Sequence, residues 1–298
     1  MKKYKYVNFV IILVYSSMFS GLNAQSPWAR KNKEGFTHLG LSVVGPYTSL
    51  INGPSLRDTE RKITDITIQS YTEYGLGPKI TGIVWLPFKY VSSSDLVNPS
   101  TLPKSIAGNR AGLGNPQVAI RYQFIDKKIA ASFQGKVEFP LAKDRQDSMY
   151  LRTGYSALSF EPIFSVGAGS KHLYGFAYGG FVIRTSNFSS NWTAGMEFGA
   201  GGNGSYAAVF LNVLQSFYNG TKHDKAYTGL YVNNQEYGAF GIKLIGSFFK
   251  QKMGGTLAAG FAFSGTNVAA APSLNAGLFY KWKGKEPGES PVKETSSF

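Results

Sequence analysis

The sequence predicts an all-β fold: a closed antiparallel transmembrane β-barrel of about twelve strands, with short periplasmic turns and longer extracellular loops. Three observations predict it. Apolar and polar residues alternate with period two over stretches longer than ten residues. An ordinary globular strand runs about 5–6 residues, whereas one that crosses a bilayer at a tilt needs about 9–11. Connectors alternate between short turns and longer loops. The composition agrees: 35 glycines and 15% aromatic residues, against 16% charged ones, suit many strands and turns better than a soluble enzyme surface.

Lys2, Lys3 and Lys5 precede an apolar run from Val7 to Phe19, and Leu22-Asn23-Ala24 supplies a small-residue cleavage pattern. Residues 1–24 therefore read as a signal peptide and Gln25 as the mature N-terminus. The run is shorter than the roughly 18 residues of a membrane anchor. Residues 25–34 form a short periplasmic lead, residues 35–283 the barrel, and residues 284–298 a disordered tail with Pro287, Pro291 and mixed charge.

The first strand sets Thr37, Leu39, Leu41 and Val43 against His38, Gly40 and Ser42. A charged loop around Arg57 to Lys62 leads into the longest alternating hairpin. On its apolar face stand Ile66, Ile68 and Tyr74, then Ile80, Val84, Leu86, Phe88 and Tyr90. Asp65, Gln69, Tyr71, Glu73, Trp85 and Lys89 take the other, with Gly77-Pro78 as the turn. Ser92 to Asn115, rich in Ser, Pro, Asn and Gly, reads as a loop. The fourth to sixth strands put Ile120 and Tyr122, Phe133 and Val137, and Phe160 and Phe164 on the apolar face. The seventh, Leu173 to Thr185, is ambiguous, because Tyr174, Phe176 and Tyr178 make both faces partly apolar. The eighth runs through Met196 and Phe198, and the ninth from about Tyr206 to Phe217. A polar loop from Asn219 to Asn233 precedes the last three strands, which carry Ile242, Leu257 and Leu278 outward and end at Trp282. This register gathers Tyr74, Tyr122, Phe124, Phe248, Tyr280 and Trp282 at the short-turn end, and Phe88, Tyr90, Phe139 and Trp192 at the other. Two aromatic girdles at the membrane interfaces result.

The chain has no cysteine, which excludes a lipid-anchoring thioether, a disulfide scaffold and thiolate metal sites. The formal charge is +14, yet no lysine- or arginine-rich run or stacking platform points to nucleic acid. The expected partners are the lipid bilayer, lipopolysaccharide and a small-molecule solute. No motif sets the oligomeric state. His38, His172 and His223 have neither a nucleophile at a useful spacing nor ligand spacing for a metal, so no catalysis, metal or cofactor is expected. Gly112 to Asn115 and Gly199 to Gly204 read as turns, not phosphate loops.

The inward charges matter more. Counting along each strand places Arg121, Lys136, Glu138, Glu161, Glu197 and Lys243 near mid-depth in the lumen. Buried charges persist only when paired, so the plainer reading is a structural ion-pair network. The sharper one is a constriction that selects small or anionic solutes.

Several short motifs carry a family resemblance: Glu73-Tyr74-Gly75-Leu76, Leu86-Pro87, Gly112-Leu113-Gly114-Asn115-Pro116 leading into Arg121-Tyr122, Thr153-Gly154-Tyr155, Glu161-Pro162 and Ser165-Val166-Gly167. Together they resemble outer-membrane barrels grouped as transporters of the phenol-degradation MetA-pathway type. That group is distantly similar to long-chain fatty-acid and aromatic-hydrocarbon transporters. The family usually has Asp after Gly-Leu-Gly, where this chain has Asn115. The fatty-acid transporters carry an N-terminal plug, for which Gln25 to Glu34 reads as too short. The resemblance implies a hydrophobic or aromatic cargo. The expected function is passage of a small hydrophobic or anionic solute across the outer membrane of a Gram-negative bacterium. The alternative is a non-conducting barrel whose outer loops bind a partner or surface polysaccharide, with a lipid-modifying enzyme further behind.

Overall fold

The wall begins with the longest hairpin in the chain. In a computed structural model, which describes residues 25–99, 102–142, 148–223, 225 and 227–283, β1 (Glu34–Asn52) pairs with β2 (Ser55–Gly75) along nearly their whole lengths. The turn between them holds Gly53 at φ 66°, a left-handed conformation that glycine adopts without strain. β2 pairs in turn with β3 (Ile80–Leu96).

The remaining strands are β4 (Gly108–Leu113), β5 (Gln117–Asp126), β6 (Ile129–Glu138), β7 (Ser159–Gly169), β8 (Leu173–Arg184), β9 (Asn191–Gly202), β10 (Ser205–Ser216), β11 (Glu236–Phe248), β12 (Met253–Ala269) and β13 (Ser273–Lys283). Each pairs antiparallel with its neighbour. β13 pairs with β1 from Glu34↔Lys283 to Val44↔Ser273, which closes the sheet and leaves no edge to be satisfied in lipid.

The 13 strands make a twelve-staved barrel. β4 lies along Phe88–Ser93 of β3 and β5 along Ile80–Trp85, so together they form one stave broken at Gly114-Asn115-Pro116. Pro116 has no N–H for the ladder, and Gly114 N donates to Pro87 O at 3.0 Å instead.

The two faces separate as the alternation requires. Asp65, Thr67, Gln69, Tyr71 and Glu73 are buried inside. Leu39 (60% exposed), Ile120 (59%), Leu257 (59%) and Leu278 (64%) stand on the outside, in an apolar band that runs round the barrel. A soluble surface rarely exposes so continuous an apolar patch, whereas lipid requires one. At the short-turn end Tyr74 stacks on Trp282 with centroids 5.4 Å apart. No helix of the described residues is long and apolar enough to cross a membrane.

Four expectations change. The charged stretch Arg57 to Lys62 is strand, not loop, because β1 and β2 continue beyond the apolar band, where outward positions need no apolar residue. Ser92 to Asn115 likewise contains the end of β3 and all of β4. The lead is not a free segment: residues 25–33 fold into the lumen. The 219–233 segment turns inward at its end, burying Leu230 and Val232 instead of presenting all of itself to the exterior. The ambiguous seventh strand resolves with Tyr174, Phe176 and Tyr178 facing in and Leu173, Phe181 and Ile183 facing out. The expected signal peptide and tail lie outside the described residues.

Candidate functional site

Residues 25–33 occupy the short-turn end of the lumen. The Trp28 ring meets Tyr174 and Phe176 edge-on, at centroid distances of 6.4 and 6.0 Å. The backbone is tied to two staves by three hydrogen bonds. Ala29 N donates to Gln123 Oε1 (2.7 Å), Arg30 N to Thr81 Oγ1 (2.8 Å), and Arg121 Nη1 to Trp28 O (3.0 Å). Arg30 Nε pairs with Glu73 Oε2 at 2.5 Å. Gly75 and Gly167 make room for the segment. A Cβ on Gly75 would lie 2.0 Å from Lys31 O, and one on Gly167 3.0 Å from Pro27 Cγ. Both glycines belong to motifs of the sequence, and their need for close backbone approach was the one signal of an occupied lumen.

Two loops occupy the opposite end. Leu151 and Leu230 pack against Val44, Tyr47, Leu50, Ile63 and Val91, on the extensions of β1, β2 and β3. This small core inside the barrel mouth gives the loops an apolar anchor. Polar contacts fix their course: Tyr47 Oη donates to Thr228 O (2.7 Å), Arg152 Nη1 to Tyr231 O (3.0 Å), and Asn115 Nδ2 to Tyr155 O (2.7 Å). The Asn115 amide thus uses its donor on the loop, which an Asp carboxylate could not do. Tyr155 and Tyr231 meet edge-on at 5.2 Å. Burial pushes the Tyr231 hydroxyl up to about 12, so it stays neutral beside Lys89, whose Nζ lies 5.2 Å from the ring centroid.

Between these two closures lies a cavity of about 330 Å³. Gln25 forms part of its floor, and Leu230 and Tyr231 part of its roof. Aromatic walls come from Trp85, Tyr155, Tyr178 and Tyr237. Four cavity-lining side chains carry buried polar atoms with no hydrogen-bond partner: Gln25 Oε1, Gln134 Nε2, Ser159 Oγ and Arg184 Nε. Native interiors leave few such groups, and these four converge on one cavity. Arg184 is the cation of this set. Its Nη1 donates to Ser189 O and to Asn191 Oδ1, both neutral, and its guanidinium lies 4.3 Å from the centre of the Tyr155 ring.

The six charges placed near mid-depth by the sequence divide into separate groups. Lys136 pairs with Glu161 directly across the β6–β7 ladder. Glu138 accepts from Asn115 Nδ2 (2.9 Å) and Gln117 Nε2 (2.7 Å). These three line the cavity. Arg121, fully buried at 1% exposure, pairs below them with Glu73 at 3.1 Å and donates Nε to Gln134 Oε1. Lys243 and Glu197 pair at 2.6 Å, and Tyr174 Oη donates to the same carboxylate at 2.7 Å. One further pair, Lys89–Asp65 at 2.8 Å, also lines the cavity. Glu73 is the carboxylate that mid-depth counting passes over. It sits near the turn by position along β2, and becomes central only because Arg30 enters the lumen and Arg121 reaches it. Tyr71 Oη donates to it at 2.5 Å as well.

The histidines differ from expectation in one respect. His38 Nε2 lies 2.9 Å from Thr256 Oγ1, a contact that no sequence spacing foretold. Its Nδ1 has no hydrogen-bond partner. His172 Nδ1 sits 3.1 Å from Gly201 O, in a turn contact.

Fold and lumen together define a β-barrel of the outer-membrane type with both ends of the lumen occupied. An outer membrane channel from Pseudomonas putida F1 has a similar structure: TM-score 0.67, 14% identity, over 89% of this chain and 100% of that one. The β domain of a Bordetella autotransporter, BrkA, aligns with TM-score 0.47 and 12% identity over 84% and 100% of the two chains. A deletion mutant of the TodX monoaromatic hydrocarbon channel aligns with TM-score 0.42 and 10% identity over 87% and 92%. At these identities the likeness speaks for the fold alone. No protein-family model matches the sequence, and neither does any curated protein.

Proposed function

We propose that this barrel lies in the outer membrane of a Gram-negative bacterium and passes a small solute that carries an acidic or acceptor-rich group. The observation that carries the reading is the convergence of orphaned polar groups, Arg184 among them, on one lumen cavity. A buried polar group without a partner costs about 1–3 kcal/mol, and a guest that supplies partners recovers that cost. Arg184, Gln134 and Ser159 offer donors, which suits a carboxylate or phenolate. The aromatic walls suit a flat apolar body. At about 330 Å³ the cavity accommodates a single-ring compound. The motif resemblance to transporters of phenol degradation agrees with such a cargo. In this reading the protein does no chemistry, and the paired charges Lys136–Glu161, Lys89–Asp65 and Lys243–Glu197 hold the lumen walls.

Entry of solutes into proteoliposomes tests it. Benzoate is expected to enter about fivefold faster than anilinium of similar size, because the orphaned donors of Arg184, Gln134 and Ser159 face the cavity. Its one carboxylate without a cation among the described residues, Glu138, already accepts from Asn115 and Gln117. The Arg184→Gln variant should lose most of that preference. Equal entry of both ions into wild-type vesicles would remove the proposed selectivity.

The alternative, a non-conducting barrel that presents its outer loops to a partner or polysaccharide, draws on one observation: the lumen is occupied at both ends. Either reading places the 97–107 connector between β3 and β4 outside the cell. An epitope tag inserted at Asn98 should bind antibody on intact cells, and labelling only after the outer membrane is broken would reverse the topology.

A further inference from the structure

Four of the five turns at the short-turn end carry lysine; the β9–β10 turn, Asn203-Gly204, carries no charge. Lys79 follows β2, Lys127 and Lys128 follow β5, Lys171 follows β7, and Lys250 and Lys252 follow β11. The approach to β1 adds Lys31 and Lys33, and the end of β13 adds Lys281 and Lys283. All but Lys33 are exposed. Antiparallel up-and-down connection puts these turns on a single rim, and backbone bonds tie neighbours together there. Lys281 N donates to Lys252 O (2.7 Å), Gln123 N to Lys79 O (2.9 Å) and Lys33 N to Gly75 O (2.8 Å). Acidic residues on the same rim are few among the described residues: Glu34 and Asp126. The opposite end is mixed, with Asp58, Glu60 and Asp95 interspersed among Arg57, Arg61 and Lys62. The sequence after Lys283 adds Lys285 and Lys293 against Glu286, Glu289 and Glu294, too little to neutralise the rim.

Twelve staves spaced about 4.8 Å and tilted about 40° give a circumference of roughly 75 Å. Lys31, Lys33 and Lys281 lie on the lumen side. The seven remaining lysines average one per roughly 11 Å of that ring, comparable with the Debye length of about 8–10 Å, and Lys127–Lys128 and Lys250–Lys252 are nearer neighbours. They act as one field, not as isolated charges. Such a ring repels itself and lowers stability unless something anionic faces it. Its depth says what that is. The stacked Tyr74–Trp282 pair and the Phe248–Phe249 pair, 5.4 and 5.3 Å between centroids, lie at the strand ends beside the lysines. Tyr and Trp settle at the headgroup level, so lysines one or two residues further along reach the phosphates.

We infer that this rim is a binding ring for anionic phospholipid headgroups in the leaflet it faces. The inference rests on the membrane location proposed above and is independent of what the lumen carries.

The test uses the full-length protein in phosphatidylcholine bilayers with trace spin-labelled lipid, read as the fraction of label immobilised at the protein. Phosphatidylglycerol is expected to be preferred over phosphatidylcholine by about three- to fivefold at low salt, falling close to one at about 0.5 M salt. The variant K79Q/K127Q/K128Q/K250Q/K252Q, shown to be folded by its gel mobility before and after boiling, should lose most of the preference. K62Q/K104Q at the other end should keep it. Equal association of the two lipids, a preference that ignores salt, or one that survives the five substitutions would each overturn the inference. So would an acidic protein binding the rim in the absence of lipid selectivity. The wild-type salt series decides the matter even if the variant does not fold. Absence of an immobilised component for every lipid would instead mean that the membrane location is wrong.

Discussion

The W28A/R30A double variant should raise the open probability of the barrel in a planar bilayer by about a hundredfold or more. The reason is the arrangement of two closures in series. A solute or ion passes only when the 25–33 segment and the outer loops are both displaced, so the two probabilities multiply. The segment is held by Trp28 against Tyr174 and Phe176 and by Arg30 on Glu73. Truncating a buried tryptophan costs about 3–5 kcal/mol where the site cannot collapse, and Trp28 is only partly buried, so the lower end applies. The Arg30 side chain is 32% exposed, and solvent screening leaves its pair with Glu73 worth about 1 kcal/mol at most. A loss of about 3 kcal/mol shifts the seated-to-displaced ratio by roughly a hundredfold, and the series product rises by the same factor. Single-channel recording measures it directly. If the double variant is as silent as wild type, the occupied lumen is a permanent filling, and the non-conducting reading with functional outer loops takes over.

Glu73→Gln should give the largest stability loss of any single lumen substitution, about 3 kcal/mol, seen as a lower midpoint in urea unfolding followed by gel mobility. Glu73 serves two cations and a phenol: Arg30, Arg121 and Tyr71. Removing one partner from a buried ion pair costs about 3–5 kcal/mol because the other charge remains in low dielectric. Arg121 keeps Gln134 Oε1 and Trp28 O, which holds the loss to the lower end of that range. Glu161→Gln is the useful comparison. It breaks the pair with Lys136, but both side chains border the cavity and are 9% and 16% exposed, so the loss there should be about 1 kcal/mol. Equal losses at the two positions would mean that the Lys136–Glu161 pair carries as much structural load as the Glu73 cluster. A Glu73→Gln midpoint equal to wild type would mean that the Arg30–Glu73–Arg121 cluster holds nothing together.

Much of the wall could be read directly from residue order. Lipid outside and a polar lumen inside impose opposite demands on successive side chains, so the alternation of Ile66, Ile68 and Tyr74 with Asp65, Gln69 and Glu73 was enough to assign both faces. The same alternation failed beyond the membrane band. Arg57 to Lys62 looks like a loop because water on the outside of β2 removes the apolar signal, yet the strand continues through an irregular stretch over 59–62 and pairs with β1 again at Asp58 and Arg57. It also failed at β8, where Tyr174, Phe176 and Tyr178 face an interior made apolar locally by Trp28, a residue far away in sequence.

By itself, then, the sequence determined the number of staves, the two faces, the aromatic girdles and the lysine-bearing turns, since each follows from local periodicity and turn composition. Tertiary structure alone decided what fills the lumen and which charges meet. Arg121 chooses Glu73, 48 residues away, and Lys243 chooses Glu197, 46 residues away. Those choices depend on stave order, ladder register and the inward path of residues 25–33, and side-chain reach across a closed barrel has no counterpart in residue spacing. The cavity arises in the same way. Gln134, Ser159 and Arg184 lie on the adjacent strands β6, β7 and β8, with Ser159 directly across the ladder from Arg184, and the inward path of the leading segment brings Gln25 to the same space.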